Sequence, residues 1–148
     1  MKSSLPPFTS YGILPPGIHW ASWKEITDRF GHTPHRQNLL LGLMQGIDAL
    51  KAAGCQAIYI DGSFCTDKEV PGDFDVCWDD STVDLDFLLV SAPLMFEFGQ
   101  ARAAQKAAYL GEFFPCSGIA APPTTLYLDF FQCDKNSGSA KGIVGLKL

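Results

Sequence analysis

The 148 residues carry 11 lysines and arginines against 16 acids, a formal net charge of −5, which argues against a broad basic surface, so non-specific nucleic-acid binding should be weak and no DNA-specific binding is expected. With 47% hydrophobic and 18% charged side chains, the composition is that of a globular protein with chain enough for one core and too little for a second. The cysteines, Cys55, Cys65, Cys77, Cys116 and Cys133, are odd in number and form no Cys-x-x-Cys pair, which argues against a disulfide framework or a zinc site and for a reducing cytoplasm.

The first ten residues hold one lysine and two prolines without an apolar run, so no signal peptide is expected. No stretch approaches the roughly 20 apolar residues of a membrane span. Pro6-Pro7 and Pro15-Pro16-Gly17 predict an extended arm that lies on the domain outside any sheet. Ser22 stands three residues before Glu25, a capping-box spacing, so a short helix is expected over residues 23–30 with a stop at Gly31. Residues 1–31 are therefore read as an arm and short helix packed on a domain of residues 32–148, because Trp20, Trp23, Ile26 and Phe30 are too apolar for a free tail. Thr33-Pro34 then caps the longest predicted helix, in which Leu39, Leu40, Leu43, Ile47 and Leu50 keep helical spacing to a stop at Gly54. His35 and Arg36, in its first turn, are read as solvated helix-end residues in preference to phosphate contacts, and His19 and His32 as structural or solvent-facing loop residues.

An apolar strand, Ala57-Ile58-Tyr59-Ile60, runs into Gly62-Ser63, and after a polar loop a second strand opens with Asp73 and Asp75. A period of two puts both carboxylates on one face and sends Phe74 and Val76 toward a core. Acids placed side by side repel, and a divalent cation between them removes that cost; oxygen ligands of this kind suit magnesium. Beyond a polar turn at 79–82, residues 83–91 read as a short helix whose Asp84 and Asp86 suit the dipole of its first turn. The alanine-rich stretch 100–110 is a predicted helix closed by Gly111, with Arg102 and Lys106 sharing a face read as solvated in preference to a phosphate-binding ridge. Phe113-Phe114 and Pro122-Pro123 bracket a predicted loop. Residues 125–131 read as a third strand that shows Thr125, Tyr127, Asp129 and Phe131 on one face. A Gly/Ser/Lys loop at 134–142, holding Lys141 as a candidate phosphate contact, leads to a terminal strand or docked tail at 143–148.

Gly62-Ser63, nine intervening residues, then Asp73-x-Asp75 flanked by apolar residues resembles the signature of DNA polymerase β-like nucleotidyltransferases. Residues 14–19 and 26–31 further resemble the N-terminal stretch of a group of short, uncharacterised bacterial nucleotidyltransferase-like proteins. The resemblance implies an α/β (α+β) fold of the minimal polymerase β-like kind, a mixed sheet with helices packed on it. Members place a third carboxylate on a later strand, for which Asp129 is the candidate. By that resemblance Asp73, Asp75 and Asp129 are the catalytic, metal-binding residues. They would hold two Mg2+ or Mn2+ ions, and Gly62, Ser63, Thr66 and Lys68 would bind the nucleotide phosphates.

Two function classes follow. In the first, the protein transfers a nucleoside monophosphate from a nucleoside triphosphate such as ATP to a protein or RNA hydroxyl. Small members of the superfamily act as toxins or antitoxins in bacterial two-gene systems, which implies a toxin-antitoxin or defence setting and a small helical partner protein. In the second, the fold is a catalytically inactive binding module acting through a protein partner. No Gly-x-x-x-x-Gly-Lys-[Ser/Thr] loop, Gly-x-Gly-x-x-Gly turn or Gly-x-Ser-x-Gly elbow occurs, which turns the reading away from P-loop, dinucleotide-binding and serine-hydrolase chemistry.

Overall fold

The computed structural model describes residues 5–134 and 137–148. Residues 1–4 of the predicted arm and 135–136 of the predicted Gly/Ser/Lys loop lie outside them. The chain is a mixed α/β structure. In chain order it runs β1 (Gly17–Trp20), α1 (Trp23–Phe30), α2 (Pro34–Ala52), β2 (Ala57–Asp61), β3 (Phe74–Trp78), α3 (Leu85–Ser91), α4 (Gly99–Tyr109), β4 (Gly111–Pro115), β5 (Ile119–Ala121), β6 (Thr125–Leu126), α5 (Tyr127–Phe130) and β7 (Gly142–Lys147).

Five strands form one sheet in the order β1-β7-β2-β3-β4. The pairings β2–β3 and β2–β7 are antiparallel, and β1–β7 and β3–β4 are parallel. Alternation sorts the side chains as the pleat requires. Ile58, Ile60, Phe74, Val76, Trp78, Phe113, Val144 and Leu146 enter a large core with Leu39, Leu43 and Leu50 of α2 and Ile26 and Phe30 of α1. The opposite face carries a thinner layer, in which Cys77, Phe114, Phe131 and Ile143 are buried and Tyr59 and Tyr127 pack against them. Asp75 of β3 shares this thinner face with Cys77, two residues on.

Both predicted N-terminal helices form. Ser22 accepts from the Glu25 amide and the Glu25 carboxylate accepts from the Ser22 amide, closing the capping box of α1. Thr33 caps α2 by accepting from the Arg36 amide. The predicted arm differs in one respect: Gly17–Trp20 joins the sheet as edge strand β1. The prolines end before Gly17, so the amides of residues 17–20 are all available to the ladder, and the Ala21 amide also donates to the Gly145 carbonyl. The arm is tied further by Arg29, which donates to the Leu5 and Pro6 carbonyls.

Three other expectations are corrected. The third strand over 125–131 is two residues of β6 followed by the single turn α5. Tyr127 and Phe131 share a face in either geometry, but a helical turn brings both onto Phe114, at ring centroid distances of 4.6 and 5.1 Å. Asp129 would share that face only in a strand; in the turn a step of two residues leaves that face, and Asp129 is exposed. Phe113-Phe114, expected to bound a loop reaching Pro122-Pro123, lie within strand β4, and the expected loop itself holds the short strand β5. Within the helix predicted over 100–110, Gln100, Ala101 and Arg102 have left-handed backbone angles and right-handed turns start after them. Arg102 therefore leaves the predicted solvated face, and its guanidinium carbon lies 3.9 Å from the Phe114 ring centroid and 4.7 Å from that of Phe98. Among the described residues, no helix is long and apolar enough to cross a membrane.

Candidate metal and nucleotide site

The site begins with the turn that ends β2. Gly62 has φ +91° and ψ −177°, a region closed to side chains, and a Cβ there would lie 3.1 Å from the Asp75 amide nitrogen. Glycine thus lets the turn lie flat on the start of β3. Ser63 closes the polar loop behind it: its hydroxyl accepts from the Gly72 amide and donates to the Asp73 carbonyl, at 3.2 and 3.4 Å. The Thr66 hydroxyl donates to the Ser63 carbonyl and accepts from the Lys68 amide. The hydroxyls expected on phosphate are here engaged in shaping the loop.

Arg36 anchors the same loop from below. Its side chain is fully buried, and it donates to the carbonyls of Phe30, Phe64, Thr66 and Lys68, with its guanidinium carbon 5.5 Å from the Phe64 ring centroid. This corrects its reading as a solvated residue: the Phe30 and Phe64 carbonyls meet it in the interior and those of Thr66 and Lys68 nearer the surface, and one guanidinium serves all four. Burial pulls its pKa below the ordinary value. The neighbouring His35 ring bonds the Pro71 carbonyl, so both first-turn residues of α2 hold the loop between the motifs.

Register then brings the acids together. Asp61 of β2 stands opposite Asp75 of β3, and Asp75 stands opposite Glu112 of β4, a row of three carboxylates across three adjacent strands, with Asp73 just before β3. Ligand oxygens of Asp73, Asp75 and Glu112 all lie within 4.8 Å of one another. Lysines close the row at both ends: Lys141 Nζ is 3.0 Å from Asp61 and Lys106 Nζ is 3.3 Å from Glu112. Burial first, then the charges of Asp73, Asp61 and Glu112, push the Asp75 carboxyl up to about 7, with Lys141 opposing them.

Asp129 is not among these acids. The carboxylate that a later strand supplies is Glu112, which lies between the expected helix stop at Gly111 and the Phe113-Phe114 edge of the expected loop, where no strand is predicted. The available signal was Gly-Glu-Phe-Phe-Pro, one acid among apolar residues between two punctuating residues. Gly62, Ser63, Thr66, Lys68, Asp73 and Asp75 do meet, lining one cleft of about 540 Å3 with Asp61, Lys141 and, from the C-terminal side, Phe130 and Phe131. Its size suits a nucleotide. The donor set, all carboxylate oxygen and strongly self-repelling, fits a hard divalent cation.

The profile of a family of unknown function, DUF6932, matches residues 6–147, nearly the whole chain. No curated protein and no solved structure gave a significant match.

Proposed function

The chain belongs to the DUF6932 family, and from the site it carries we propose that it is a divalent-cation-dependent nucleotidyltransferase of polymerase β-like fold. It would move a nucleoside monophosphate from a nucleoside triphosphate to a protein or RNA hydroxyl. The observation that carries this reading is the convergence of Asp73, Asp75 and Glu112 within 4.8 Å beside the Gly62-Ser63 turn. Asp73 and Asp75 line a nucleotide-sized cleft, and Glu112, aligned from the next strand, meets them from beside it; three converging acids of this kind are what metal-assisted phosphoryl transfer needs.

In this reading Asp73, Asp75 and Glu112 hold Mg2+ or Mn2+. The bound ions would neutralise the triphosphate and stabilise the attacking and leaving oxygens. Gly62 leaves room for phosphate against the backbone, and Lys68 and Lys141 supply positive charge on the cleft walls. Lys141, held by Asp61, stands ready to exchange that carboxylate for a phosphate oxygen. Asp75 is the acid most sensitive to loading, since its own neighbours oppose its ionisation until a cation offsets them.

The test is incubation with each labelled nucleoside triphosphate, Mg2+ and cell extract, followed by a search for label on RNA or protein. Label transfer by the native chain and its loss in Asp75→Asn supports the reading; absence of transfer with all four nucleotides overturns it. A second reading, a catalytically inactive module working through a protein partner, is favoured by α3, which leaves Leu85, Phe87, Leu89 and Val90 exposed. Either reading accommodates a two-gene setting with a small helical partner in the cytoplasm.

A further inference from the structure

On the thinner face of the sheet, two sulfurs meet. Cys77 follows Asp75 by two residues on β3, and Cys116 follows the end of β4; their Sγ atoms are 2.9 Å apart. The strands hold them there by backbone bonds: Cys77 is in register with Phe114, and the Cys116 amide donates to the Trp78 carbonyl. The two thiols differ in access. Cys77 is buried and donates its S–H toward Cys116, whereas Cys116 is half-exposed. Cys116 is therefore the sulfur that a solute reaches first, with the Cys77 thiol directly behind it.

The geometry points to Cys77 and Cys116 as a reversible dithiol-disulfide pair, a modification site for peroxides that joins the strand carrying Asp75 to the strand carrying Glu112. The odd cysteine count argues against a structural disulfide framework, but register selects these two sulfurs. In the first step Cys116 sulfur attacks one peroxide oxygen, the O–O bond breaks, sulfur gives up two electrons, and hydrogen peroxide leaves one water and a Cys116 sulfenic acid. In the second, Cys77 sulfur attacks Cys116 sulfur, the S–O bond breaks, and the hydroxide takes the Cys77 proton as a second water. The sum is two thiols and one hydrogen peroxide to one disulfide and two waters. A dithiol reductant reverses it by exchange. The other cysteines take no part: Cys55 and Cys65 are buried on the opposite side in the larger core, and Cys133 is exposed beyond α5.

This inference does not depend on the proposed activity. The native chain is treated with hydrogen peroxide, denatured under acid, and digested without reductant. The expected result is a linked peptide pair containing Cys77 and Cys116, two fewer titratable thiols, and recovery of both with dithiothreitol. The cross-linked protein should melt on the order of 5 °C higher, because the bridge closes a long loop in the unfolded chain. Cys116→Ser should abolish the link, and Cys133→Ser should leave it intact. Should Cys116→Ser fold poorly, the peptide map of the native chain decides alone. Sulfinic acid on Cys116 without a cross-link, or only intermolecular dimers that vanish in Cys133→Ser, would overturn the assignment.

Discussion

Replacing Asp75 by asparagine tests the electrostatics of the acid row directly. The Asp75 carboxyl lies at about 7 in the fold against an ordinary 3.8. With the folded-state value raised, the stabilising contribution is fully present below about pH 4 and is lost as pH rises through about 7. By pH 8 the ionised group costs the metal-free fold at most about 4 kcal/mol, from about 1.36 kcal/mol for each pH unit between the two values. Solvent at a half-buried carboxylate screens this to about 2 kcal/mol. Asp75→Asn removes that cost, so at pH 8 with chelator the variant should melt roughly 4–8 °C above the native chain, and at pH 4 the two should coincide. Millimolar Mg2+ or Mn2+ should raise the native melting temperature at pH 8, since the ion binds only the folded state, and leave the variant unmoved. Differential scanning calorimetry of both proteins across pH, with and without ion, gives these melting temperatures. A variant that melts below the native chain at pH 8, or whose advantage does not shrink on acidification, refutes the reasoning.

Three further outcomes follow from the same geometry. Glu112→Gln should abolish the Mg2+-dependent rise in melting temperature while Asp129→Asn leaves it unchanged, which thermal shift with titrated Mg2+ checks. Gly62→Ala should destabilise the fold by about 2 kcal/mol, because the residue sits in a backbone region open essentially to glycine and its Cβ would press on the Asp75 amide; urea denaturation measures it. Arg36→Met should cost about 3 kcal/mol by stranding the carbonyls of Phe64, Thr66 and Lys68, and hydrogen exchange should rise across residues 64–72 more than across β7.

Local features were legible in the chain. The capping box at Ser22 and Glu25, the Thr33-Pro34 start of α2 and the period-two pattern of 57–60 and 73–78 each depend on neighbours within a few residues, so spacing alone specifies them. The placement of Asp73 and Asp75 opposite Phe74 and Val76 follows from the same pleat. Long-range pairing decided the rest. Glu112 joins the acids because β4 crosses over α3 and α4 to lie parallel to β3 in one register, and a shift of one residue would turn its carboxylate to the other face. Asp129 leaves them because Tyr127 and Phe131 gain more from Phe114 in a helical turn than a strand would give. Arg36 is buried because carbonyls from Phe30 and from residues 64–68, distant in sequence, converge on its guanidinium. Cys77 and Cys116 are neighbours by strand register, which no count of cysteines contains. A residue's period follows from adjacent chemistry, whereas its partners across the sheet follow from how the whole core closes.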